Sequence, residues 1–173
     1  MDIVVNSSDP PTSGILAWSK GEARCALGRG GITAAKRESD GATPAGLMPL
    51  RYAFYRPDRE AQPLTRLSVR AIVPEDGWCD EPARPEYNRF VRRPFPGRHE
   101  TLWRADGLYD LAVVLGWNDA PPVAGRGSVI FLHIAGADYA PTEGCVALAR
   151  ADLVRLLADC GPGDRLIVNL PRP

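Results

Sequence analysis

Ser128-Val-Ile-Phe-Leu-His-Ile134 runs on through Ala135-Gly-Ala-Asp-Tyr-Ala-Pro-Thr-Glu-Gly144 to Cys145-Val-Ala-Leu148. The first seven residues form a nearly continuous apolar run, the pattern of a strand buried on both faces. Tyr109-Asp-Leu-Ala-Val-Val-Leu115 repeats that pattern and predicts a second buried strand. Downstream, Leu153, Leu156 and Leu157 share one face of a helix predicted over 150–160. Gly161-Pro-Gly163 should end it, with Gly161 as the left-handed residue after the cap. This reading places His133 near the C-terminal end of a central strand. It places Cys145 on a turn-rich loop just before the helix.

Working outward, short strands are predicted at 3–5, 15–18, 23–27, 50–55, 67–72 and 165–170. Gly28-Arg-Gly-Gly31 reads as a tight turn or a close backbone approach. Residues 36–46 are polar and turn-forming. A long loop is expected from Pro74 to Pro96, and a short helix over 100–105. Seventeen Gly and seventeen Pro in 173 residues fit a turn-rich, mainly β fold in one domain spanning 1–173. No internal repeat or linker divides the chain.

The composition narrows the function. Lys plus Arg and Asp plus Glu both total 21, so the net charge is zero. A nucleic-acid binder normally carries a basic excess, so none is expected. No apolar run is long enough to span a bilayer. The N-terminus, Met1-Asp-Ile-Val-Val-Asn, has no secretory signal pattern. A cytoplasmic site, a removed leader and another export route all fit that observation. The four cysteines have no Cys-x-x-Cys spacing, so neither a structural zinc site nor a disulfide framework is expected.

Cys145 and His133 carry the chemistry. A thiol becomes a strong nucleophile when an imidazole takes its proton. Unpaired Cys is more often a small buried hydrophobe, and a strand-end His is more often a satisfied core residue. Gly144 tips the balance, because it allows a tight elbow before Cys145. The N–H groups of Gly144 and Cys145 can then face one space as an oxyanion hole. The other histidine, His99, sits in Pro96-Gly-Arg-His-Glu100 and reads as a surface or loop residue. Gly125-Arg-Gly-Ser128 lacks the spacing of a phosphate-binding loop. Ser128 has no nucleophile pattern around it. Asp76, Asp80 and Glu81 read as a solvated acidic loop.

The stretch from His133 through Thr142-Glu-Gly-Cys-Val-Ala-Leu148 resembles the catalytic motif of YkuD-type L,D-transpeptidases. Asp40-Gly-Ala-Thr-Pro-Ala-Gly46 is similar to the Thr-Pro-x-Gly turn of the same family. With Gly30–Lys36 before it, the resemblance runs from about Cys25 to Val168. Four features depart from the family pattern, the first being a loop of its own, Gly77-Trp-Cys-Asp-Glu-Pro82 through Tyr87-Asn88-Arg89. Glu143 stands where most members carry His. Ala147 stands where they carry Arg or Asn. The His133-to-Cys145 gap is short. These features resemble a compact, divergent proteobacterial branch associated with L-Ala–diaminopimelate cross-links.

The resemblance implies a mainly β, YkuD-like β-sandwich or mixed sheet with a few short helices. It implies a Cys145 nucleophile, a His133 general base and acid, and Gly144 in the oxyanion hole. It implies peptidoglycan stem peptides containing diaminopimelate as substrates, no cofactor, no metal, a monomer, and a periplasmic or cell-wall location. Arg126, Asn118, Asp138 and Tyr139 flank His133 in sequence and are expected to bind substrate. Trp78, Asp80 and Tyr87 are expected to form a lid or substrate wall. Three alternatives stay open at this point: a carboxypeptidase or amidase on the same stems, an inactive peptidoglycan-binding module, and an enzyme with an acyl donor unrelated to the wall.

Overall fold

A computed structural model describes residues 1–171 of the chain. In chain order its elements are β1 (Asp2–Ser7), β2 (Ser13–Trp18), β3 (Gly21–Ala26), β4 (Ile32–Thr33), β5 (Thr43–Pro44), β6 (Gly46–Tyr55) and β7 (Val69–Ala71). There follow β8 (Asp76–Cys79), β9 (Phe90–Arg92), β10 (His99–Thr101), β11 (Leu111–Leu115), β12 (Ile130–Ile134), β13 (Val146–Leu148), α1 (Arg150–Asp159) and β14 (Arg165–Val168). The fold is mainly β with one α-helix among the described residues, as the sequence implies. No helix among them is long and apolar enough to cross a membrane.

The main sheet is mixed and closes on itself. Its order is β11-β12-β13-β3-β2-β1-β14-β6-β7, and β11 also pairs with β6. The long β6 makes this possible. Its first half pairs with β14 and its second half with β11. A closed sheet leaves few unpaired backbone edges and encloses its core. α1 lays Leu153, Leu156 and Leu157 into that core, as their spacing predicts.

The strands β11 and β12 are buried on both faces, as their apolar runs predict. Side chains alternate across a strand, so each sends residues to two clusters. Leu111, Val113, Leu115, Ile130, Leu132 and Ile134 join the main core. Ala112, Val114 and Phe131 join a second cluster with Phe54, Trp78, Tyr109 and Cys145. His133 shares the parity of Phe131 and therefore faces that second side.

Several local expectations need correction. The Pro74–Pro96 loop contains β8 and β9, which with β10 make a separate antiparallel sheet ordered β10-β8-β9. Asp76 is not solvated. It is fully buried and receives Arg70 at 3.2 Å and Arg92 at 2.7 Å. The helix expected over 100–105 does not form, because Glu100 and Thr101 pair with Trp78 and Gly77 across the sheet. Finally, Gly161 is not left-handed. Its N–H donates to Asp164 Oδ2 at 2.8 Å, and Gly163 takes the positive φ of +86° instead. Cys145 is followed by β13 before α1 begins, so the loop holding it leads into a strand, not directly into the helix. All four cysteines are free and buried.

Leu132 is fully buried at the centre of β12. Leu132→Ala should lower unfolding stability by about 2–5 kcal/mol. A urea unfolding midpoint unchanged from the parent protein would contradict this placement.

Candidate active site

Cys145 is held by its strand. β13 runs parallel to β12 with Val146 opposite Leu132 and Ala147 opposite His133. Cys145 therefore lies level with Phe131, whose N–H donates to the Cys145 Sγ at 3.3 Å. The preceding elbow is tightly packed. Gly144 has φ +131°, and a Cβ there would lie 2.8 Å from the Ala42 carbonyl oxygen. The Thr142 hydroxyl donates to the Cys145 carbonyl at 2.6 Å and accepts the Gly144 N–H at 3.1 Å.

The Asp40–Gly46 turn packs against this elbow. The Gly28 backbone lies so close to the turn that a Cβ would meet the Gly41 oxygen at 2.3 Å. Gly28 N–H donates to Thr43 Oγ1 at 2.8 Å, and Arg29 N–H to the Thr142 carbonyl at 2.8 Å. The close-approach reading of Gly28–Gly31 therefore holds. Lys36 is buried and pairs with Asp40, whose carboxylate also accepts the Arg37 and Ala42 N–H groups.

Cys145 and His133 line one cleft of ≈ 490 Å³. His133 Nδ1 lies 2.8 Å from the Ile134 carbonyl. A carbonyl only accepts, so Nδ1 carries the proton and Nε2 keeps its lone pair. The ring of Tyr109 meets His133 edge-on at 5.2 Å and Phe131 at 5.1 Å, which fixes the imidazole plane.

Burial dominates the electrostatics. It pulls His133 down to about 4 and pushes the Cys145 thiol up to about 12, where the Glu100 charge adds to the effect. The resting cleft thus holds a neutral thiol and a neutral imidazole. Such a pair can move a proton from sulfur to nitrogen as sulfur attacks a carbonyl.

A profile of the YkuD L,D-transpeptidase catalytic domain matches residues 3–168. The chain belongs to the YkuD family. No curated protein matches the chain, and no solved structure does. Members of the YkuD family are cysteine L,D-transpeptidases that act on peptidoglycan and are associated with the cell wall.

Within this YkuD chain, the cleft gathers only part of the expected set. Cys145, His133 and Asp80 line it. His99 does not, and its Nδ1 is bonded to the Gly97 carbonyl at 2.8 Å. Arg126, Asn118, Asp138, Tyr139, Trp78 and Tyr87 lie outside the lining. Asn118 folds its own loop, donating to Val123 and Gly127 carbonyls at 2.9 and 2.8 Å. Arg126 is exposed, and its carbonyl accepts Trp117 Nε1–H at 3.1 Å. Asp138 is exposed in a short 3-10 turn, and Tyr139 stacks under Arg24 at 4.5 Å. Trp78 is buried behind Phe131 and donates to Asn88 at 3.0 Å. Tyr87 is buried, and its hydroxyl donates to Glu38 at 2.5 Å. Both flanks of β12 reach the cleft, through Ser128, Val129 and Ile130 on one side and Gly136, Ala140 and Pro141 on the other.

Gly144 also differs from expectation. Its N–H is engaged by Thr142, whereas the Cys145 N–H has no protein acceptor among the described residues. The cleft instead includes Arg29, Lys36, Glu38, Glu100, Arg104 and Tyr109. Lys36 sits in a stretch the sequence marks as part of the family motif, but nothing in the sequence singles out Glu100 or Tyr109. Glu143, at the position where most members carry His, is exposed and pairs with Arg29 at 2.9 Å. Ala147 is buried in the sheet and offers no polar group to a substrate.

A neutral resting pair has a measurable signature. Thiolate forms only as pH approaches the thiol pKa of about 12. Alkylation of Cys145 by iodoacetamide, followed by peptide mass mapping, should rise roughly tenfold per pH unit from about pH 6 to 9. A plateau beginning near neutral pH would instead reveal a resident thiolate–imidazolium pair.

Proposed function

We propose that this chain is a peptidoglycan L,D-transpeptidase working through a Cys145 thioester. The observation that carries this reading is the shared cleft, lined by both the Cys145 thiol and the His133 imidazole, whose Nδ1 proton is held by the Ile134 carbonyl. In the first half-reaction Sγ attacks a stem-peptide carbonyl while Nε2 accepts the thiol proton. The carbonyl oxygen becomes an oxyanion, for which the Cys145 N–H is the available donor. Collapse breaks the C–N bond, and the imidazolium returns its proton to the departing amine. In the second half-reaction an amine of another stem takes the acyl group and frees the thiol.

Binding supports the same reading. The cleft is walled by both charges, with Arg29, Lys36 and Arg104 facing Glu38, Asp80, Glu100 and Glu143. Stem peptides containing diaminopimelate carry both carboxylates and ammonium groups, so a mixed-charge cleft suits them. The Glu143 and Ala147 departures favour L-Ala as the acyl donor and diaminopimelate as the acceptor. We place the activity at the cell wall, reached by a periplasmic form of the protein.

The test uses purified disaccharide-tetrapeptide and disaccharide-pentapeptide with the parent protein and Cys145→Ala. A cross-linked dimer made by the parent and absent from the variant is expected, with fragmentation assigning L-Ala as donor. Cleaved monomers alone would replace the transpeptidase with a carboxypeptidase or amidase. Bound but unchanged muropeptide, with no thioester adduct by intact mass, would make the chain a binding module.

A further inference from the structure

The carboxylates of the cleft are not equivalent. Asp80 pairs with Arg98 at 3.0 Å, and Glu143 with Arg29 at 2.9 Å. Glu38 accepts hydroxyl donors on both oxygens, Tyr87 at 2.5 Å and Ser128 at 3.2 Å. Glu100 is different. Its Oε1 accepts the Tyr109 hydroxyl at 2.5 Å, while Oε2 has no protein donor among the described residues. Its nearest guanidinium, Arg104, stands at 3.7 Å and is already bound to Asp106 at 2.5 Å.

The position is costly for the chemistry. Glu100 lines the same cleft as Cys145, and its charge pushes the thiol up. A negative charge there opposes the thiolate character that attack requires. Lys36 and Arg104 act in the opposite direction, each less strongly than Glu100. Burial raises the Glu100 pKa as well, so its charged form is favoured most when a cation joins it. The second half-reaction supplies one, since an alkyl amine with a pKa of about 10 arrives as ammonium.

We propose that Glu100 is the receptor for the ammonium group of the acceptor, holding the incoming primary amine beside the Cys145 thioester. This rests on the acyl-transfer reading above. The ammonium gives its first proton to Oε2 of Glu100, which passes it to solvent. The neutral nitrogen then attacks the thioester carbon, forming the C–N bond as the C–S bond breaks. The second nitrogen proton travels through His133 Nε2 to Cys145 Sγ. Thioester and ammonium become amide, thiol and one released proton. Water carries no positive charge and is not drawn to Glu100 as an ammonium is, so the same residue favours amine over water as acceptor by binding.

Glu100→Gln tests this, because the amide oxygen still accepts the Tyr109 hydroxyl while the charge is lost. Two readouts are needed. With muropeptides, the ratio of cross-linked to hydrolysed product should fall at least about tenfold in E100Q, the change equivalent to a ~1.4 kcal/mol preference. Separately, Cys145 alkylation is followed against added meso-diaminopimelate, with pimelate as the control lacking amines. The parent protein should show a saturable change in rate with diaminopimelate and none with pimelate. E100Q should react faster without ligand and show no diaminopimelate response. Were E100Q to unfold, Glu100→Asp, which withdraws the charge by one methylene, should raise the half-saturating concentration. An equal diaminopimelate response in the parent and the variant would overturn the assignment. Parent protein that responds to diaminopimelate through Glu100 yet never forms a thioester would uphold the ammonium site and overturn the acyl-transfer reading.

Discussion

The alternation of β12 is the constraint from which the rest follows. Leu132 and Ile134 must enter the main core, so Phe131 and His133 must face the other way. A slip of one residue would exchange the two sets and bury the imidazole in hydrocarbon. The parallel pairing with β13 transmits this register to the nucleophile, because Val146 opposite Leu132 puts Cys145 beside Phe131. The site is therefore built on strands whose positions the hydrophobic core sets. Rigid supports of this kind are what a catalytic pair needs, since small misplacements of reacting groups are expensive.

A second constraint brings distant segments of sequence together. Gly28, Gly41 and Gly144 meet where side chains have no room, and Thr43, Thr142 and Arg29 tie the three segments with hydrogen bonds. The Thr-Pro turn and the Gly-Cys elbow lie about a hundred residues apart in the chain, yet they form one packed unit. The motif character of both segments thus has a physical origin. Gly28 and Gly144 are fixed by the backbone of the Asp40–Gly46 turn and Gly41 by the Arg29 side chain, and Thr142 serves the elbow with both its donor and its acceptor.

The parts legible in the sequence share a strong local signal. The β11 and β12 runs are long and apolar, the α1 leucines keep helical spacing, and the Cys145 elbow announces itself through Gly144. The parts missed depend on tertiary partners. β8, β9 and β10 have three or four residues each and contain Asp76, Gly77 and Arg92, which give no alternating pattern. They become strands because they cover the second cluster through Trp78 and because Asp76 collects Arg70 and Arg92. The same cause hid Glu100 and Tyr109. Neither is near Cys145 in sequence, and both reach it only after β10 has paired with β8 and Tyr109 has packed on Phe131. The tertiary role of Asn118 was hidden likewise, since only the folded loop shows its amide bonded to the Val123 and Gly127 carbonyls.

The electrostatic state of the cleft belongs with this architecture. Burial of Cys145 and His133 follows from seating His133 on β12 and Cys145 at the entrance to β13, and it leaves both neutral at rest. A stored thiolate–imidazolium pair would make the nucleophile permanently reactive toward oxidants and adventitious electrophiles. A neutral pair confines that reactivity to the moment when a carbonyl lies against sulfur and an oxyanion can be stabilised. The cost is a harder proton transfer, and the Ile134 carbonyl offsets part of it by holding the Nδ1 proton and supporting positive charge on the ring as Nε2 accepts. The mixed charges at the cleft wall act on the resting thiol as well as on the substrate, with Glu100 adding to burial in keeping it protonated. In this arrangement the fold supplies alignment, and the bound peptide supplies the charges that complete the site.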